Sequence, residues 1–87
     1  MVSKKVVVNN ASGLHARPAS LLAQEAGKCS SDVKIFVGEK KIEAKSILNI
    51  MAAAIKKGTE IELQCEGAQE QADLAKLVEL IESGLGE

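Results

Sequence analysis

The sequence predicts an open-faced α/β sandwich with elements in the order β-α-β-β-α-β-α. Three observations carry that expectation. Glu60-Ile61-Glu62-Leu63-Gln64-Cys65-Glu66 alternates without a break, apolar on one side and polar on the other. Two segments instead repeat their apolar residues at helical spacing: Ala19, Leu22, Ala23 and Ala26, then Leu74, Leu77, Val78 and Ile81. Turn residues separate every periodic segment, and none of the links is long enough to be a linker.

The elements follow in order. Residues 2–8, with Val6-Val7-Val8, read as a first strand that stops at Asn9-Asn10. Residues 11–15 form a loop containing Gly13. A helix then runs from about Ala16 to Gly27, with Lys28 favourably placed at its negative end. Val33, Ile35 and Val37 alternate with Asp32, Lys34 and Phe36 as a second strand. Gly38-Glu39-Lys40 is a turn into a short third strand, Lys41–Ala44, so the pair is a hairpin. Ser46 is an N-cap candidate for a short second helix reaching about Ala54. Lys56-Lys57-Gly58 closes that segment before the fourth strand, residues 60–66. The last helix spans about Gln69 to Ser83, and Gly84 ends it.

Topology narrows from there. A strand–helix–strand crossover makes strands 1 and 2 parallel, with right-handed sense. Strand 4 slots between them antiparallel, giving the order 1-4-2-3. Its polar outer side leaves one sheet face wet, so all three helices cover the other. The 87 residues are read as one domain, 1–87.

Composition excludes several classes. The chain is 46% hydrophobic but holds one Phe and no Trp or Tyr, so its core is Val, Ile, Leu and Ala. Without stacking surface, single-strand nucleic-acid binding is not expected. Cys29 and Cys65 make neither a disulfide framework nor a metal site, since no CxxC or Cys/His spacing exists. Cys65 reads as a small core residue. No signal peptide and no apolar run of bilayer length is present, which points to a cytoplasmic protein. Net charge is −1 yet polarised. Residues 1–59 carry ten basic and four acidic groups, whereas residues 60–87 carry one and eight. The basic part suits an acidic or phosphate-bearing partner.

Chemistry concentrates in Gly13-Leu14-His15-Ala16-Arg17-Pro18-Ala19-Ser20, which holds the only histidine, arginine and proline of the chain. His15 precedes a helix start and lies off any apolar stripe, so packing does not require it. An uncharged imidazole has a nitrogen lone pair able to attack a phosphoryl group. Arg17 offers a planar cation, Ser12 a hydroxyl, and the helix start N–H groups from about Ala16 and Arg17, all suited to phosphate oxygens. Pro18 is expected at the first helical position, where it costs no hydrogen bond.

The segment of the second helix, Ser46-Ile47-Leu48-Asn49-Ile50-Met51-Ala52-Ala53-Ala54 with Ile55 just beyond its end, has no charge. Ile50, Ala54 and Ile55 can serve the core, which leaves Ile47, Leu48 and Met51 as an exposed docking patch. Ser46 is either a cap alone or a regulatory phosphosite. A phosphate there suits the helix start but sets negative charge beside the patch. No Ser-His-Asp triad, paired-carboxylate site, P-loop or Rossmann glycine pattern is present.

Gly13-Leu14-His15-Ala16-Arg17-Pro18-Ala19 and Lys45-Ser46-Ile47-Leu48-Asn49-Ile50-Met51 closely resemble the two signature segments of the HPr family. These are histidine-containing phosphocarriers of the bacterial phosphoenolpyruvate-dependent sugar phosphotransferase system. The resemblance covers essentially the whole chain. It implies that Enzyme I passes a phosphoryl group to Nδ1 of His15 and that EIIA domains of sugar permeases receive it. The protein would be a stoichiometric carrier without a cofactor or metal; a relay surface also favours a monomer. Arg17 matches the phosphate-stabilising arginine, and Ile47, Leu48 and Met51 the docking surface. Ser46 matches the serine modified by an ATP-dependent kinase in many relatives; that form slows the relay and serves a carbon-catabolite transcription regulator. Asn49 and Leu48 replace the family's frequent glycine and methionine, and Cys29 a common aromatic. Three other roles remain: a regulatory module read through Ser46, a nitrogen-branch carrier, and a small phosphatase. The last would need a general acid and a substrate pocket, which the sequence does not display.

Overall fold

The computed structural model describes residues 1–85. Their elements are β1 (Val2–Val7), α1 (Ala16–Lys28), β2 (Asp32–Val37), β3 (Lys40–Glu43), α2 (Ile47–Ala52), β4 (Glu60–Glu66) and α3 (Glu70–Glu82). The strands form one sheet in the order β1-β4-β2-β3, as the sequence predicts, and every pairing is antiparallel. β1 and β2 therefore run parallel to each other, both opposed to β4.

The register explains the core. Val6 faces Ile61, Val33 faces Cys65, and Ile35 faces both Leu63 and Ile42, so the apolar alternations of four strands share one side. All of these side chains are buried. Ala19, Leu22, Ala23 and Ala26 of α1, Ile50 of α2, and Leu77, Val78 and Ile81 of α3 join the same cluster. Both helical stripes thus do what their spacing predicts, with Leu74 half-buried at the margin. Alternate strand residues form the other sheet face. There Lys34 is bonded to Asp32 and to its cross-strand partner Glu43, and Phe36 lies half-buried.

Several boundaries differ from the sequence reading, each for a local reason. Val8 lies beyond β1, though it exchanges backbone hydrogen bonds with the 58–59 segment and is fully buried. α1 continues to Lys28, which pairs with Glu25 one turn earlier. β3 begins at Lys40, because Val37 pairs directly with Lys40 across a two-residue turn. Gly38 takes that turn with φ 59°, a left-handed value that suits glycine. Gln69 and Ser83 cap α3 and are not part of it.

α2 is the largest correction. It stops at Ala52, not Ala54, with Ala53 as C-cap. Ala54 then adopts φ 53° and is exposed, so it does not serve the core. Ala53 packs against the core in its place, alongside buried Ile55. A left-handed residue after the C-cap is the usual way to end a helix, though glycine normally fills it. Leu85 also enters the core, at 1% exposure, with its N–H bonded to the Leu80 carbonyl.

Candidate functional site

The approach to His15 is pinned from two sides. Residues 10–13 form a turn in which the Gly13 N–H donates to the Asn10 carbonyl at 3.0 Å. The Asn10 side chain, itself buried, donates through Nδ2 to the Gly13 carbonyl. Gly13 has φ +64°, and a Cβ there would lie 2.5 Å from the Ile55 carbonyl oxygen and 2.8 Å from Lys56 Cα. Only glycine permits both the backbone conformation and the close approach. Leu14 donates its N–H to the Ile55 carbonyl at 2.9 Å and buries its side chain. The next residue, His15, emerges exposed.

His15 is the N-cap of α1, in extended conformation, and its side chain makes no capping bond. Its carbonyl accepts the first helical hydrogen bond, from the Ala19 N–H at 2.7 Å. The N–H groups of Ala16 and Arg17 precede that ladder, so the helix does not consume them. Pro18 is the third helical residue, a correction to the first-position reading. It still breaks no helical bond, because the third N–H has no partner within a helix. The first turn has no acidic side chain, so nothing there offsets the positive helix end, and Arg17 adds a full charge. An anion bound beside His15 would meet N–H donors, a guanidinium and a positive dipole end together.

Ala16 and Arg17 also line an open hollow of about 550 Å³ with Ser20, Leu21, Gln24 and Leu85. Ser12 sits exposed in the 10–13 turn, three residues before His15. Ser12 in the loop, His15 at the N-cap, and Ala16 and Arg17 in the first helical turn are all exposed.

Ser46 and its followers make a second surface. Ser46 caps α2, its Oγ accepting from the Asn49 N–H at 3.2 Å. Ile50 points inward, fully buried, whereas Ile47, Leu48 and Met51 are 39%, 80% and 41% exposed. A six-residue helix without charge cannot hide three such side chains in a single helical layer. The two surfaces are joined. α1 and α2 pack on one another, and the chain leaving α2 supplies the Ile55 carbonyl that holds Leu14. The sequence reading missed this strap and Asn10. Its one signal was the glycine at position 13, whose neighbour across space cannot be read locally.

Elsewhere, Cys29 and Cys65 are free and buried. Burial pushes the Cys65 thiol up to about 11. Among the described residues no helix is long and apolar enough to cross a membrane.

Comparison with known proteins defines the class. Residues 2–83 match the family model PTS-HPr, described as the PTS HPr component phosphorylation site. The chain belongs to the HPr family, the phosphocarriers of the phosphotransferase system. It is 51% identical to the phosphocarrier protein HPr of Mycoplasma capricolum over 67 residues, 77% of this chain and 75% of that protein. It is 44% identical to the HPr-like protein Crh of Bacillus subtilis over 82 residues, covering 94% and 96% of the two. A crystal structure of HPr-C-His from Thermoanaerobacter tengcongensis superposes with a TM-score of 0.96 at 41% identity, covering 100% of this chain and 98% of that one.

Proposed function

We propose that this protein carries a phosphoryl group on His15 between Enzyme I and the EIIA domains of sugar permeases. The observation that carries the reading is the exposed His15 ring at the N-cap of α1, ahead of an acid-free first turn holding Arg17. In the forward step the Nδ1 lone pair forms an N–P bond. The bond from phosphorus to the Enzyme I donor breaks, and its electron pair leaves on that donor. The Ala16 and Arg17 N–H groups, the Arg17 guanidinium and the Ser12 hydroxyl hold the phosphate oxygens until EIIA accepts the group. The carrier is regenerated, with no cofactor required. The protein works in the cytoplasm as a monomeric single domain, residues 1–87, docking through Ile47, Leu48 and Met51.

A regulatory role for Ser46 fits the same frame, favoured by its place as the cap of α2 beside that patch. A kinase would add phosphate where the helix tolerates it, and a phosphatase would remove it. The negative charge would weaken docking to relay partners and serve recognition by a catabolite-control transcription regulator. Sugar phosphorylation in a reconstituted relay tests the main reading. Wild type should support it and His15→Ala should not, while Arg17→Ala should slow it. Equal rates with His15→Ala would refute the carrier role. A nitrogen-branch carrier would take phosphate yet fail to pass it to sugar permeases.

A further inference from the structure

Among the described residues, Asn10 and Ser31 are the buried polar side chains, at 3% and 0% exposure. Ser31 is bonded to Asp73, at the start of α3. Asn10 lies under the loop that leads to His15. Burying an amide is costly unless its hydrogen bonds repay it, so what Asn10 bonds is informative.

Its backbone carbonyl accepts the Gly13 N–H, and its side-chain Nδ2 donates to the Gly13 carbonyl. The peptide linking Gly13 to Leu14 is then held at both ends. Asn10 holds its oxygen, and the Ile55 carbonyl accepts its N–H at 2.9 Å. With that plane fixed and the Leu14 side chain buried at 2% exposure, little freedom remains before His15. Ser12 occupies a central position of the same turn.

We propose that Asn10 is a positioning residue for phosphoryl transfer at His15. The inference rests on the carrier reading above. Asn10 acts through the Gly13–Leu14 peptide and the 10–13 turn, setting where the His15 ring and the Ser12 hydroxyl stand as phosphorus arrives. It lies outside α2, so it contributes nothing to the docking patch. Its removal therefore lowers the rate of transfer within the docked complex and spares docking. Small displacements of a reacting group are enough for a large loss, of order a hundredfold per ångström.

The test uses Enzyme I and phosphoenolpyruvate, with the full chain as the phosphate acceptor. Rates are normalised to the folded fraction measured by circular dichroism. Asn10→Ala should lower kcat roughly tenfold or more while KM for the carrier stays within about twofold. Asn10→Asp, which places an acceptor against the Gly13 carbonyl, should do the same. Asn10→Ser replaces either variant that fails to fold. An unchanged kcat per folded molecule, or a raised KM at constant kcat, would overturn the proposal. Wild type controls for the underlying reading: if it takes no phosphate, the carrier role fails. If it takes phosphate and the variants match it, only the positioning role fails.

Discussion

The Leu14 N–H donates to the Ile55 carbonyl at 2.9 Å, and this bond ties the His15 loop to the chain leaving α2. Gly13 makes the approach possible, since a Cβ there would press on backbone atoms of Ile55 and Lys56 that cannot swing aside. Gly13→Ala should therefore combine a left-handed backbone penalty with overpacking, about 2–4 kcal/mol in all. Urea unfolding measures it. A loss under about 0.5 kcal/mol would show that the strap yields without strain.

Ala54 gives the opposite sign. It holds φ 53° at an exposed position, where a methyl group costs energy and glycine would not. Ala54→Gly should stabilise the fold by about 1 kcal/mol, raising Tm by roughly 4–8 °C for a domain of this size. A lowered Tm would mean that the Ala54 side chain contributes packing that outweighs its strain.

Acid should weaken the fold through carboxylates bonded far from His15. The hydroxyl of Ser31 holds Asp73 below its ordinary range, with the Ser31 N–H adding to it, while burial opposes. Folded Asp73 therefore loses its proton at lower pH than in the unfolded chain. The resulting stability is full above about pH 4 and is lost as pH falls through the folded value. Glu70, bonded to the Met1 ammonium and the Gly67 N–H, acts with the same sign. Urea midpoints should fall on acidification, and Ser31→Ala should show a shallower fall. Parallel curves would remove Asp73 from this role.

Leu48 tests the docking surface. At 80% exposure it contributes little to folding, so Leu48→Asp should change stability by no more than about 0.5 kcal/mol. As part of an apolar interface it should weaken Enzyme I binding roughly tenfold, read as a raised KM for the carrier. An unaltered KM would place the contact elsewhere.

What the sequence made legible follows from range. The β4 alternation and the α1 and α3 stripes are periodic within a few residues, so they predict both element type and buried face. The Ser46 cap is equally local, and so is the motif around His15. Ala54 eluded that reading because alanine favours helix and nothing nearby signals a left-handed turn. The Gly13–Ile55 contact eluded it because it joins segments some forty residues apart in the sequence. Asn10 eluded it for another reason: its bonds reach only to Gly13, but an asparagine before a turn does not by itself signal that its side chain is buried. Leu85 entered the core for a similar reason: its burial comes from folding back at the end of α3, where the pattern after Gly84 is too short to show a period.

The most direct measurement is the mass and site of phosphate on the intact chain. The protein is incubated with phosphoenolpyruvate, Mg²⁺ and Enzyme I, then analysed by mass spectrometry at neutral and acid pH. The account predicts a gain of one phosphate that is lost in acid, mapped to His15 and absent from His15→Ala. No gain in wild type, or the same gain in His15→Ala, would contradict it.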